Sequence, residues 1–248
     1  MSRYLVISDI HSNLEALDAV LQASSKQKCD AVLVLGDLVG YGASPNEVVK
    51  RIRELDPVAI VRGNHDKVAS GLETAEDFNP VARLAVDWTR RALTPDTLDY
   101  LRGLPAGPQL VAEIEVCHGS PVDEDLYVMA DVDAIRSIEA TRRSLCLFGH
   151  THVALCAKLD DSRRLEIGVP QGHPEFETDL APSAKYLINP GSVGQPRDGD
   201  SRAAYAIADL DRKTVTLYRA AYPIETAQKK IVDAGLPPML AYRLGMGR

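Results

Sequence analysis

Five of the chain's six histidines, His11, His65, His118, His150 and His152, arrive directly after short apolar runs. "YLVIS" leads into Asp9-Ile10-His11, and "AVLVLG" into Asp37. "VAIVRG" leads into Asn64-His65-Asp66, "EIEVC" into His118, and "LCLFG" into His150-Thr151-His152. Imidazole, carboxylate and one amide oxygen are the donor set of borderline divalent ions such as Mn, Fe or Zn. Thiolate is missing from the set, which argues against a structural zinc site. The ligands are too many for one tetrahedral ion. They suit two ions about 3.5–4 Å apart that share a carboxylate and lower the pKa of a bound water.

Each cluster taken alone has a plainer explanation. An Asp or Asn after a strand commonly caps a helix or shapes a turn, and Asn64 could cap the helix that follows it. A lone His118 is more often a satisfied core histidine. Capping does not account for imidazoles coinciding at so many strand ends. Positions i and i+2 of a strand share a face, so His150 and His152 are expected to leave their strand side by side, each toward its own ion. His173 lies in a polar loop with no strand before it and is left out of the set.

Positioning these residues requires a sheet. In the first half, β-branched runs alternate with helical patterns: "RYLVIS", "AVLVLG" and "PVAIVRG" read as strands. Helices are expected over 12–26, over "SPNEVVKRIREL" with Ser44 as N-cap and Pro45 at its first position, and over 79–92 and 94–102. The second half turns to β: "QLVAEIEVC", "SLCLFG", "VALCAKL", "RRLEIGV", "KYLINPG", "RAAYAIADL" and "KTVTLYRA". A short helix is expected at 132–139, and "PIETAQKKIVDAG" closes as a terminal helix. The Pro-, Gly- and acid-rich stretch from Gly168 to Ser183 reads as the most mobile loop. Ligands in open α/β sheets bind outside the carboxyl ends of the strands, which is where the Asp, Asn and His residues fall.

A chain of 248 residues is ample for a full core, and no repeat or linker divides it, so one domain over 1–248 is expected. A net charge of −7 argues against a duplex-DNA binder that grips phosphates with a basic patch. It does not exclude small phosphorylated substrates, since bound cations supply positive charge locally. The four cysteines form no CxxC, no stretch approaches a membrane span, and the N-terminal apolar run is too short for a signal peptide. A reduced cytoplasmic protein with no membrane partner is the expectation.

D-x-H, G-D, G-N-H-D, H-G and G-H-x-H, in this order and each after a strand, resemble the calcineurin-like metallophosphoesterases. "INPGSVGQPRDG" at 188–199 resembles the small bacterial branch related to phosphodiesterases and diadenosine tetraphosphatases. The resemblance implies an α/β fold, a four-layer α/β/β/α sandwich with two mixed β-sheets. It implies one metal held by Asp9, His11 and His152 and a second by Asn64, His118 and His150, with Asp37 bridging. A metal-bridging hydroxide would attack phosphorus, and His65 would act as general acid or stabilise phosphoryl charge. Two divalent ions are the implied cofactor, manganese first, with Fe, Zn or Ni also compatible.

The chain departs from the family's phosphoprotein phosphatases, which carry G-D-x-x-D-R-G where it reads "GDLVGYG". Gly40 replaces the Asp that would orient the catalytic histidine, and Tyr41 replaces the Arg that would clamp phosphate. That counts against protein phosphatase and diadenosine tetraphosphatase activity. Tyr41 is instead expected to line the substrate pocket, or to pack beside its turn. Arg197 and Asn189 read first as polar turn residues and second as substrate contacts. Phosphodiester or nucleotide hydrolysis is the leading reading. A phosphomonoesterase or nucleotidase on small metabolites and a catalytically retired binding scaffold stand beside it.

Overall fold

The computed structural model describes residues 2–248, which form twelve β-strands and eight α-helices. The strands make two six-stranded mixed sheets. The first runs β3 (Ala59–Ile60), β2 (Ala31–Val34), β1 (Arg3–Ile7), β11 (Ala203–Asp209), β12 (Thr214–Ala220), β9 (Glu175–Asp179). The second runs β4 (Gln109–Val111), β5 (Ile114–Val116), β6 (Leu145–Leu147), β10 (Ala184–Asn189), β7 (Leu155–Asp160), β8 (Leu165–Gly168). β1, β2 and β3 are parallel, as are β5, β6 and β10.

Strand alternation explains the layers. Tyr4 and Val6 on β1 point into a core shared with Val116, Leu147 and Ile188 of the second sheet. Leu5 and Ile7, one residue out of phase, enter a separate core against helices. That helical layer is built from α1 (Leu14–Ser24), α2 (Pro45–Glu54), α3 (Asn64–Ser70), α4 (Pro80–Ala92), α5 (Pro95–Arg102), α7 (Ile224–Asp233) and α8 (Pro238–Met246). A single helix, α6 (Asp131–Ala140), covers the outer face of the second sheet through Ala134 and Ile138. The result is the four-layer α/β/β/α sandwich. Among the described residues no helix is long and apolar enough to cross a membrane.

Several local features differ from the sequence reading. "QLVAEIEVC" is two antiparallel strands, β4 and β5, turning at Ala112, which takes φ 50°. Ser44 occupies the N-cap position of α2 but its hydroxyl makes no cap bond and instead receives Lys230 Nζ at 3.4 Å. Pro45, already lacking an N–H, reduces what a cap must satisfy. The helix after Pro223 is not terminal, because α8 follows and packs against it. The stretch read as a mobile loop contributes β9, the edge strand paired with β12. Alternating exposure along β9 shows why its acid-rich sequence hid it: only one face is covered.

The parallel strands of both sheets end at the same edge of the sandwich. Loops after β1, β2 and β3 therefore meet loops after β5, β6 and β10. Ile138 is fully buried between α6 and the second sheet, so Ile138→Ala is expected to cost about 2–5 kcal/mol. A urea titration read by far-UV circular dichroism should show the midpoint falling with an unchanged slope.

Candidate metal centre

Asp9, His11, Asp37 and His152 bring donor atoms within 4.8 Å of one another, and Asp37, His118 and His150 do the same. All six of these residues are buried. Asp37 Oδ2 lies 3.5 Å from His11 Nε2 and 3.5 Å from His118 Nε2, so one carboxylate faces both groups. Asp9 Oδ1 is 3.4 Å from His152 Nε2, and Asn64 Oδ1 is 3.3 Å from His118 Nε2.

Each imidazole is oriented by a backbone carbonyl. His11 Nδ1 donates to Val39 O (3.0 Å) and His152 Nδ1 to Gln195 O (2.6 Å). His118 Nδ1 donates to Leu35 O (2.8 Å) and His150 Nε2 to Asp125 O (3.0 Å). A carbonyl only accepts, so the proton of each neutral ring sits on the carbonyl side and the other nitrogen is a bare lone pair. Those lone pairs meet in pairs: His11 Nε2 is 3.0 Å from His152 Nε2, and His118 Nε2 is 3.0 Å from His150 Nδ1. Facing lone pairs repel unless a proton or a metal cation sits between them. The donor set, neutral imidazoles plus carboxylates with the outer nitrogens fixed, fits divalent metal ions.

Electrostatics separate the two pairs. Burial holds His11 and His152 far below the usual imidazole range, so neither supplies a bridging proton. His118 differs: burial opposes its charge, but Asp37 outweighs it and pushes the ring up to about 10. Burial lowers His150 to about 3, so the proton of this pair resides on His118. Burial raises Asp9 to about 6. Asp37 is held well below the carboxylate range because the surrounding imidazoles outweigh its burial.

The local backbone is unusual where the ligands sit. Asp9 (φ 52°), His11 (φ 47°), Asp37 (φ 53°), Tyr41 (φ 57°), His150 (φ 66°) and His152 (φ 62°) are all left-handed without being glycine. This corrects the pleat argument for "GHTH". β6 ends at Leu147, and His150 and His152 diverge from a loop to opposite groups rather than sharing a strand face. Asp66 supports the arrangement: its carboxylate accepts from the backbone N–H groups of Leu38 (2.9 Å), Val39 (3.2 Å) and Gly63 (3.0 Å). Asn64 begins α3 and is not its cap; Gly63 holds that place and packs so closely on Asp37 that a Cβ could not be accommodated. Asn189 Nδ2 donates to Gly149 O (2.7 Å) and Thr151 Oγ1 (3.1 Å), a structural brace for the "GHTH" loop.

His65 sits beside the cluster without joining it. No carboxylate orients it: its buried Nδ1 has no hydrogen-bond partner, and a Cβ on Gly40 (φ +93°) would lie 2.5 Å from that atom. The ring is held instead between Tyr41 (4.4 Å between centroids) and Phe78 (4.6 Å), with His11 edge-on at 4.9 Å. Burial lowers it to about 4. Tyr41 is buried, and its hydroxyl accepts from Arg197 Nη2 at 3.4 Å. Arg197 leaves its buried Nε unpartnered, an unused donor at the edge of the centre. Sequence reading ranked Arg197 as a turn residue and passed over Tyr127, whose ring lies 3.6 Å from that of His150. Only the "PR" of the loop after β10 hinted at the first, and nothing local marked the second.

In sequence and fold the chain is similar to known proteins. The model of the calcineurin-like phosphoesterase superfamily domain matches residues 3–213. The crystal structure of a metallophosphoesterase from Sphaerobacter thermophilus is similar at TM-score 0.87 and 40% identity, covering 100% of this chain and 99% of its own. An uncharacterized protein of Methanocaldococcus jannaschii is 36% identical over 254 residues, 100% of this chain and 99% of that protein. A shorter match, 47% over 68 residues, is to the symmetrical bis(5'-nucleosyl)-tetraphosphatase of Buchnera aphidicola. It spans 27% of this chain and 24% of that enzyme.

Removing the Asp66 carboxylate strands three buried N–H donors, each costing about 1–3 kcal/mol. Asp66→Ala should therefore lose several kcal/mol in chemical denaturation, and its metal isotherm should weaken although no ligand is removed.

Proposed function

Because the chain belongs to the calcineurin-like phosphoesterase superfamily, we propose that it is a metal-dependent hydrolase of phosphodiester or nucleotide-type substrates. One observation carries the reading: two close pairs of imidazole nitrogens share the single carboxylate of Asp37. Asp9, His11 and His152 would hold one ion, Asn64, His118 and His150 the other, and Asp37 both. Two divalent ions at this position supply charge neutralisation for the phosphate and lower the pKa of water. Manganese suits the thiolate-free donors, as do iron, zinc and nickel.

The chain's own residues then bind and orient the ester. Arg197, half-buried with an unpaired Nε, would donate to a phosphoryl oxygen, and the Tyr41 hydroxyl holds its guanidinium. This arrangement puts the arginine on the loop after β10 in place of the one missing at position 41. His65 lines the adjoining cleft. Its Nδ1 is buried against Gly40 without a partner, so the tautomer with the proton on Nε2 avoids burying an unpaired N–H. That Nε2–H serves as a hydrogen-bond donor to the oxygen that gathers charge as the ester breaks. The match to a tetraphosphatase supports a nucleotide-type substrate.

Hydrolysis of bis(p-nitrophenyl) phosphate and p-nitrophenyl phosphate by one preparation tests the reading. Chelator should abolish turnover and Mn²⁺ restore it, with the diester favoured. A monoester preference would move the assignment to a small-molecule phosphatase, and tight metal binding without turnover to a retired scaffold. Asp37→Ala should lose both ions in a metal titration and keep less than a tenth of the activity. His65→Ala should retain both ions while kcat falls about 10²–10³-fold, the cost of removing one preorganised donor. Arg197→Ala should raise KM more than Arg197→Lys does.

A further inference from the structure

Beyond the ligands the centre opens into a cleft of about 190 Å³ that reaches from Asn64, His65 and His150 to Phe78 and Tyr127. The rings of Tyr41, His65, Phe78 and Tyr127 form part of its lining. Tyr127 leans on His150 in a tilted contact, with centroids 3.6 Å apart and 31° between planes, yet the residue is 47% exposed. The ring thus packs on His150 and still borders the cleft with much of the residue open to solvent. Phe78 closes the side nearest His65. The segment carrying Tyr127 has no regular structure but is pinned: Gly119 N donates to Glu124 O, and Ser120 Oγ accepts from Val122 N and Asp123 N. The platform is formed before anything binds, so stacking on it costs little ordering.

The charge around this cleft has the opposite sign from what a phosphate chain needs. Two cations, Arg62 and Lys67, face four carboxylates, Glu73, Asp77, Glu124 and Asp125. Arg62 pairs with Glu124 at 2.8 Å. Lys67 is shared among Glu73 (3.0 Å), Glu124 (3.3 Å) and Asp125. Asp77 lines the cleft and makes no side-chain hydrogen bond or ion pair among the described residues. On this rim both cations are paired and the Asp77 carboxylate is left over, while Arg197 lies on the Tyr41 side.

We propose that this cleft is a leaving-group slot for an uncharged alcohol that carries a planar aromatic ring, the ring stacked on Tyr127, and that its acidic rim disfavours a substrate carrying further phosphates there. The inference rests on the phosphodiesterase reading above. Aromatic stacking supplies the attraction and the unpaired Asp77 the discrimination against polyanions. A nucleoside and a simple aryl alcohol share this chemistry. In this slot the ester's bridging oxygen sits by His65 and the ring system lies outward over Tyr127.

The test compares metal-loaded wild type, Tyr127→Ala, Tyr127→Phe and Asp77→Lys on a dinucleoside monophosphate and a dinucleoside tetraphosphate. Wild type should favour the monophosphate. Tyr127→Ala should lower that preference about tenfold or more while Tyr127→Phe keeps it, and Asp77→Lys should raise kcat/KM for the tetraphosphate. Equal losses on both substrates in Tyr127→Ala, or a wild-type preference for the tetraphosphate, overturn the proposal. Saturation-transfer NMR with phosphate-free adenosine and with phenol on the zinc-loaded protein reads the slot without catalysis, and shows which ring system it prefers. Ring-proton contacts that vanish in Tyr127→Ala but persist in Tyr127→Phe support the slot even if no diester is cleaved, in which case the reaction reading alone fails. Diester turnover without Tyr127-dependent contacts removes the slot and leaves the reaction.

Discussion

The centre depends on four backbone carbonyls. Val39, Leu35, Gln195 and Asp125 each capture one nitrogen of a histidine and so decide where its other lone pair points. The carbonyls come from loops other than the ones that carry the rings. Ligand geometry is therefore a property of the whole sheet edge and not of any one motif. The same loops must turn sharply within a few residues of a strand, which is why so many ligands adopt left-handed φ. Such conformations cost of order 1–3 kcal/mol each and persist only when neighbours over-determine them. Asp66, Asn189 and the Ser192 hydroxyl on Asp9 O supply that over-determination.

The absence of an aspartate at position 40 changes how His65, the histidine beside the ligand cluster, is held. A carboxylate partner would fix the ring by a charged hydrogen bond and favour its protonated form. Here rings of Tyr41 and Phe78 fix it by shape, and Gly40 gives it room. Packing orients without stabilising charge. A ring held this way suits hydrogen-bond donation better than proton delivery. At position 41 the chain carries a tyrosine whose hydroxyl accepts from Arg197 of the loop after β10.

Strand ends followed by Asp, Asn and His were legible in the sequence because apolar runs and polar punctuation are local signals. They sufficed to bring Asp9, His11, Asp37, Asn64, His118, His150 and His152 to one edge. The reason given for His150 and His152 was wrong in detail, since pleat alternation does not apply past Leu147. The β4–β5 hairpin was hidden because its turn residue, Ala112, is not a turn former by type. β9 was hidden because an edge strand needs only one apolar face. Tyr127 and Arg197 matter through tertiary placement alone: each lies on an irregular loop whose path is set by contacts far away in the chain.

The two sheets contribute different halves of the centre. Asp9, His11, Asp37 and Asn64 follow strands of the first, while His118, His150 and His152 follow strands of the second. A cation held between them would be a rivet through the sandwich as well as a reagent. Whatever binds only the folded arrangement adds its binding free energy to folding. Metal supply in the cell would then govern how long each copy of the chain survives proteolysis, so that scarcity thins the population of molecules at the same time as it silences them.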